Sequence, residues 1–100
     1  MLYRGYYTYN EEKTPTEFTT KKVSDTLIYG EGKDNGGDYT IEGKISPSNF
    51  ICLTKKYIGA HTVDLCGRVI KASGNIEKIR GVWELKNVCS GDFEYYLYSK

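Results

Sequence analysis

The sequence contains little proline, no long apolar run and almost no net charge. Two prolines occur in 100 residues, and no segment approaches the roughly 20 consecutive apolar residues that a membrane-spanning helix needs. The formal charge of +1 at pH 7 argues against a polybasic nucleic-acid binder and against an acidic tail. The N-terminal segment has neither an apolar signal core nor the Arg- and Ser-rich composition of a transit peptide. These absences predict a cytoplasmic chain without a membrane span.

The cysteines show neither a disulfide framework nor a zinc motif. Cys52, Cys66 and Cys89 are odd in number and include no C-x-x-C pair, the spacing that such frameworks and sites typically use. Together with His61, the one histidine, they fit no compact zinc knuckle. We therefore predict reduced thiols, no metal and no cofactor.

The aromatic content and the residue alternation favour an all-β domain. Ten Tyr, three Phe and one Trp occur in a chain of 100 residues, and such side chains suit a half-buried pleated surface. The length fits one domain, residues 1–100. Period-two alternation recurs along the chain, whereas sustained helical periodicity is lacking. The predicted strands lie near residues 2–9, 16–23, 26–32, 38–45, 50–57, 61–70, 76–85 and 92–98.

Short connections between these segments predict antiparallel neighbours in up-and-down order. Glycines such as Gly5 and Gly81 recur in mid-strand between apolar residues, and the strongly coiled strands of a small barrel bring backbones close enough to require them. The expected fold is a single small antiparallel β-barrel of about eight strands, with a two-sheet β-sandwich as the alternative. Pro15 and Pro47 are expected in loops, and residues 10–24 also fit a loop or a short helix.

Strand parity divides the side chains into an inner apolar set and an outer charged set, because residues two apart share a face. The predicted inner set comprises Tyr39, Ile41, Ile45, Val63, Leu65, Val69, Ile79, Trp83, Leu85, Phe93, Tyr95 and Leu97. The carboxylates, Asp34 among them, are expected on outward or loop positions. A turn centred on Gly59 places Cys52 opposite Cys66 on the outer face, where a disulfide is the alternative to reduced thiols.

Several short segments between Gly30 and Leu97 resemble a module found in many otherwise uncharacterised proteins. They are G-E-G, D-Y-T-I-E-G-K-I, T-K-K-Y, H-T-V, I-R-G-V-W and G-D-F. The likeness covers about two thirds of the chain and implies no particular activity. In architecture the expected barrel is similar to the lipocalin, fatty-acid-binding and avidin-like meander barrels.

One candidate site lies at a mouth of the expected barrel. The alternation that turns Leu53 and Tyr57 inward also turns Lys55 inward, and a buried lysine is costly unless it is paired. The site would take a small anionic or amphipathic ligand, and its expected residues are Lys55, Tyr57, His61, Tyr39, Trp83 and Tyr95. In the alternative, Lys55 extends to the rim and the tyrosines only fill the interior.

A second candidate site lies on the outer surface, where the first and last strands would pair. Its expected residues are Arg4, Tyr6, Tyr96 and Tyr98, with Lys100 nearby. Tyr and Arg are enriched at interface hot spots, so the leading hypothesis is a non-catalytic module or accessory subunit that docks on a protein partner or on a second copy. A carrier of a small apolar or amphipathic ligand is the alternative.

Two further function classes have less support. Tyr-rich β-surfaces with interleaved cations also bind single-stranded nucleic acid, but the near-zero net charge argues against this. Enzyme activity needs a convergent nucleophile, base and orienting group. No such set can be named around His61, so a catalytic site is not expected.

Overall fold

The computed structural model describes residues 1–100 as eight antiparallel β-strands that close into a barrel in the order β1 to β8. The strands are β1 (Leu2–Tyr9), β2 (Glu12–Val23), β3 (Leu27–Asp34), β4 (Gly37–Ile45), β5 (Phe50–Tyr57), β6 (Thr62–Ala72), β7 (Asn75–Leu85) and β8 (Cys89–Ser99). The predicted up-and-down barrel is confirmed. No helix that could cross a membrane occurs in the structure.

Closure of the barrel depends on pairing between β1 and β8, with Tyr7 opposite Phe93 and Arg4 opposite Tyr96. Four loops, residues 10–11, 35–36, 58–61 and 86–88, lie together at one end of the barrel, which we call the hairpin end. Loops 24–26, 46–49 and 73–74 lie at the other end with both chain termini. We call this the terminal end.

The interior is filled with large side chains. Strand parity places the predicted inner residues in the core, and only Leu85 and Leu97 among them remain half-buried. Near the centre the ring of Phe18 packs edge-on against Tyr95, with ring centroids 4.8 Å apart. Tyr3 stacks on the same phenylalanine at 5.2 Å. Such aromatic pairs fill space and add favourable ring geometry, so little room is left at the centre.

The mid-strand glycines allow the close backbone approach that the sequence predicts. A methyl group at Gly5 would overlap the backbone carbonyl of Glu94 on β8. Gly67 and Gly81 are register partners on β6 and β7, and a methyl group on either would overlap backbone atoms of the opposite strand. The sharp coiling of this narrow barrel therefore depends on these positions having no side chain.

The second strand is longer than predicted. It begins at Glu12 and includes Pro15, so the placement of that proline in a loop was wrong. The last β2–β3 pair joins Thr16 to Asp34, and Pro15 lies one residue beyond it, where β2 is paired with β1 alone. A proline is tolerated where a strand has an unpaired edge. Pro47 lies in the β4–β5 loop as predicted.

The cysteine prediction was wrong for two of the three thiols. Cys52 and Cys66 are register partners on β5 and β6, as the turn position predicted, and they form a disulfide on the outer face. Cys89 is free and half-buried. Disulfides persist mainly in oxidising compartments, so this bond does not favour the predicted cytoplasmic location.

Removal of this disulfide is expected to destabilise the barrel moderately. The bond closes a loop with a sequence separation of 14, and a crosslink of that span stabilises a fold by about 2 to 3 kcal/mol. The double variant Cys52→Ser/Cys66→Ser is therefore expected to lose that much free energy of unfolding in urea titration at pH 7. Cys89→Ser serves as the control. Equal midpoints for the double variant and the wild-type chain would contradict the expectation.

Candidate functional site

A buried ion pair lies inside the barrel near the hairpin end. The side chain of Lys55 is 4% exposed, and its Nζ lies 2.5 Å from Oδ2 of Asp34, whose side chain is fully buried. The inward direction of Lys55 follows the predicted alternation of β5. The expectation for Asp34 was wrong, because β3 continues to this residue and keeps it in phase with the buried Ile28.

The Asp34 carboxylate accepts four donors. Besides Lys55, it accepts hydrogen bonds from Thr16 Oγ1 at 2.8 Å, the Gly36 amide at 2.8 Å and Tyr57 Oη at 2.9 and 3.0 Å. A carboxylate offers about four acceptor positions. The acceptor capacity of Asp34 is therefore filled.

Two buried tyrosines extend this network toward the centre of the barrel. Thr16 donates to Asp34, and its oxygen lies 2.7 Å from Tyr39 Oη. The hydroxyl of Tyr39 lies 3.1 Å from that of Tyr95 and donates to the carbonyl oxygen of Glu17 at 2.9 Å. Every buried side-chain nitrogen or oxygen has at least one hydrogen-bond partner, as is usual for buried polar groups.

Burial and the ion pair shift the pKa values of these groups. Burial raises the pKa of Asp34, but the hydrogen bond and charge of Lys55 outweigh that effect and hold the pKa below its usual value. Burial lowers the pKa of Lys55, against the opposing effect of Asp34. Burial also raises the pKa values of Tyr57 and Tyr39 far above the usual tyrosine value. It raises the pKa of Tyr95 to about 12. The three phenols therefore remain protonated at neutral pH.

A concave space opens above the ion pair at the hairpin end, and we call it the mouth pocket. Its volume is about 200 Å³. Of the predicted ligand residues, Lys55, Tyr57, His61 and Trp83 line it. Tyr39 and Tyr95 do not, because they are fully buried in the network below. The further lining residues, which were not predicted for the ligand site, are Tyr7, Tyr9, Gly36, Val63, Leu65, Leu85 and Cys89.

On the outer surface, closure of β1 against β8 brings together the four residues predicted for docking. Arg4 lies opposite Tyr96 in the register, and its Cζ lies 3.8 Å from the ring centroid of Tyr98. Tyr6 donates a hydrogen bond to Glu94 Oε2 at 2.7 Å. Tyr96 is 43% and Tyr98 is 61% exposed. Arg4 and these two tyrosines thus form an exposed cluster, with Tyr6 half-buried beside it.

Cations on neighbouring strands enlarge this cluster. Lys78 contacts Glu94 Oε1 at 2.7 Å, and Arg80 lies opposite Glu94 in the register. The same cross-strand row continues from Arg80 to Arg68 and then to Phe50. The whole set, which we call the cation–tyrosine face, consists of Arg4, Tyr6, Phe50, Arg68, Lys78, Arg80, Glu94, Tyr96 and Tyr98. The added residues follow from the strand register, which places them in a row beside the predicted residues.

Glu94 is the one acidic residue of the cation–tyrosine face. Burial raises its pKa, but Lys78 and Tyr6 outweigh that effect and hold the pKa at about 2. Its carboxylate is therefore ionised at neutral pH and already paired with Lys78 and Tyr6. Arg4, Arg68 and Arg80 contact no carboxylate within salt-bridge distance.

No group of three or more His, Cys, Asp or Glu side chains converges in the structure. No protein-family model, curated protein or solved structure matches this chain. The structure shows a closed eight-stranded antiparallel barrel, and none of these comparisons supports the predicted similarity to lipocalin, fatty-acid-binding or avidin-like proteins.

Proposed function

We propose that the protein is a non-catalytic binding module that docks on an acidic segment of a partner protein through the cation–tyrosine face. The carrying observation is the combination of three unpaired arginines with two exposed tyrosines on strands that barrel closure holds side by side. Aromatic and arginine side chains dominate the energetics of protein interfaces, and the surrounding charge selects an anionic partner.

The arrangement of Arg68 and Arg80 supports an anionic partner. Both side chains are exposed and directly opposite each other on β6 and β7, an arrangement that costs stability because like charges repel. Between their strands lies a shallow depression of about 450 Å³, which Phe50 and Ile70 also line. A carboxylate seated there would offset the repulsion and accept planar hydrogen bonds from either guanidinium.

The tyrosines supply contact area that is already ordered. The guanidinium of Arg4 stacks on Tyr98, and Lys78 Nζ lies 5.2 Å from the ring centroid of Tyr96. Cation–π contacts of this kind restrain exposed rings. Binding then loses less side-chain entropy than it would with mobile rings.

The charge pattern outside the face favours a protein segment over a nucleic acid. Glu42, Asp64 and Glu84 are exposed in one cross-strand row on β4, β6 and β7. This acidic row would repel a phosphate backbone that continued beyond the face, since nucleic-acid affinity depends on neutralising many phosphates. A short acidic protein segment bound at the face would not extend to this acidic row.

The proposal is testable with a polymer of defined chemistry. The wild-type barrel is expected to bind a fluorescent random copolymer of Glu and Tyr at about 0.05 M salt and to release it at about 0.5 M, where charges are screened. Tyr96→Ala/Tyr98→Ala and Arg68→Glu/Arg80→Glu are each expected to weaken binding at least about 30-fold, because the loss of one hot spot costs about 2 kcal/mol or more. Fluorescence anisotropy measures both effects.

Controls lie outside the cation–tyrosine face. Tyr29→Ala and Lys44→Glu/Lys56→Glu change a tyrosine and two exposed lysines outside the face and are expected to leave the affinity within about threefold. Unchanged binding by the two face variants, or equal binding of a copolymer of Lys and Tyr, would overturn the proposal. Tighter binding of single-stranded oligothymidine would replace the protein partner with nucleic acid. A dimer in sedimentation that Tyr96→Ala/Tyr98→Ala dissociates would replace it with a second copy of this chain.

A further inference from the structure

The mouth pocket has aromatic walls and a polar floor in which not every hydrogen-bond donor has an acceptor within the fold. It lies between the ends of β1, β5, β6, β7 and β8 and shares no residue with the cation–tyrosine face. The rings of Tyr7 and Tyr9 lie 6.1 and 6.0 Å from that of Trp83. On the other wall the rings of Tyr57 and His61 lie 5.0 Å apart.

The wall rings are held in place by hydrogen bonds to neighbouring elements. Trp83 Nε1 donates to the carbonyl oxygen of Thr8 at 2.9 Å, and the hydroxyl of Tyr57 donates to Asp34. Gly36 packs so closely on Tyr57 that a Cβ there would lie 2.7 Å from the ring. A pocket with fixed walls binds without a large ordering cost.

The floor of the pocket retains an unused donor. The Lys55 ammonium has three N–H groups, and Asp34 is its one hydrogen-bond acceptor. The other neighbours of Nζ are aromatic rings, with centroids of Tyr39, Tyr7 and Tyr57 at 4.3, 4.9 and 4.9 Å. Ring faces satisfy an ammonium less well than an oxygen does, so a ligand oxygen that reached Nζ would gain a charge-assisted hydrogen bond.

The charge of the floor selects against ions. Asp34 neutralises Lys55, and its own acceptor positions are filled by Thr16, Tyr57 and Gly36 as well. An anionic ligand would be repelled by the buried carboxylate, and a cationic one by the ammonium. A neutral ligand that carries a hydrogen-bond acceptor fits both groups.

We propose that the mouth pocket binds an uncharged aromatic molecule of one ring that carries a carbonyl or hydroxyl oxygen, with that oxygen accepting a hydrogen bond from Lys55. The volume of about 200 Å³ sets the size, because an engineered apolar cavity of about 150 Å³ accommodates benzene. The remaining space fits a small substituent. Stacking against the tyrosine and tryptophan rings orients the ligand ring.

Two probes of the same shape test the proposal. Acetophenone carries a carbonyl oxygen where α-methylstyrene carries a CH₂ group, so the pair differs in the acceptor alone. Ligand-observed saturation-transfer NMR and the indole N–H resonance of Trp83, the single tryptophan, report binding. Acetophenone is expected to bind at least about tenfold more tightly, as one hydrogen bond to a charged donor provides.

A matched pair of variants assigns the site. Leu85→Trp fills the pocket wall, whereas Leu97→Trp places the same change at another half-buried leucine, near the terminal end of β8. Leu85→Trp is expected to abolish acetophenone binding, and Leu97→Trp to preserve it, with circular dichroism showing that both variants are folded. Equal affinity for the two probes, no binding of acetophenone by the wild-type chain, or binding that survives Leu85→Trp would each overturn the proposal. None of these outcomes bears on the cation–tyrosine face.

Discussion

Asp34→Ala is expected to lower the free energy of unfolding by about 3 to 5 kcal/mol, the largest effect that we expect from a single substitution in this barrel. The change leaves the Lys55 ammonium buried without a counter-charge, and breaking one half of a buried ion pair costs about that much. It also removes the acceptor for Thr16 and Tyr57. Urea unfolding at pH 7, followed by circular dichroism, measures the loss.

A double variant separates the cost of an unpaired charge from the value of the pair itself. Asp34→Leu/Lys55→Met replaces both charged groups with apolar side chains, and such replacements are often neutral or stabilising. We expect it to recover most of the stability that Asp34→Ala loses. A single variant as stable as the wild-type chain would show that Lys55 reaches water or another partner without Asp34.

The same pair makes stability depend on pH in the acid range. The pKa of Asp34 is lower in the folded state than its ordinary value of 3.8, so below that value the unfolded chain binds more protons than the folded one. The stabilisation that the Asp34–Lys55 pair provides is therefore complete above about pH 5. It is lost as the pH falls through the folded-state pKa of Asp34. The wild-type chain is expected to lose more stability between about pH 5 and pH 2 than Asp34→Leu/Lys55→Met does.

Gly5→Ala is expected to destabilise the barrel by about 3 kcal/mol, since a Cβ at this position overlaps main-chain atoms rather than a side chain that can rotate away. The overlapping atoms belong to Glu94 and Tyr95 on β8, so the strain falls on the pairing that closes the barrel. We expect the amides of β1 and β8 to exchange with solvent faster than those of β4 and β5. Thermal unfolding and hydrogen exchange test the two parts of this expectation.

Gly59→Asn is the control for this substitution. Gly59 has a φ of +73° and no atom in its way, and asparagine tolerates that backbone region better than other side chains. We expect a loss below about 1 kcal/mol. If Gly59→Asn destabilised the chain as much as Gly5→Ala, the effect would reflect glycine loss in general and not the close approach of β1 and β8.

The sequence predicted the inside of the barrel more fully than its polar floor. Period-two alternation alone places Tyr39, Trp83 and Lys55 on the inner face, because one buried face makes the register of a strand unambiguous. The position of Cys52 opposite Cys66 followed from a single turn centre. Oxidation of that pair did not follow, since it depends on compartment as well as proximity.

The inward position of Asp34 was not predicted, because the preference of aspartate for turns was given more weight than the position of this residue in the strand alternation. Aspartate and the Asn-Gly pair that follows favour turns, so β3 was expected to end near residue 32. The two-residue loop 35–36 instead makes Asp34 the last residue of the strand, opposite Gly37. The inward phase set by Ile28 then carries the carboxylate into the barrel. The neutral floor depends on this residue, and so does our proposal of an uncharged ligand in place of the anionic or amphipathic one predicted from the sequence.

The pairing of Leu2 with Ser99 has a consequence for any longer chain that includes this barrel. Segments added before β1 and after β8 would extend from the barrel side by side at the terminal end. Tethers, fusion partners or neighbouring domains would then sit on the far side from the mouth pocket. The entrance would stay open in such an arrangement, and the barrel could be inserted into a loop of another protein as a single pendant unit.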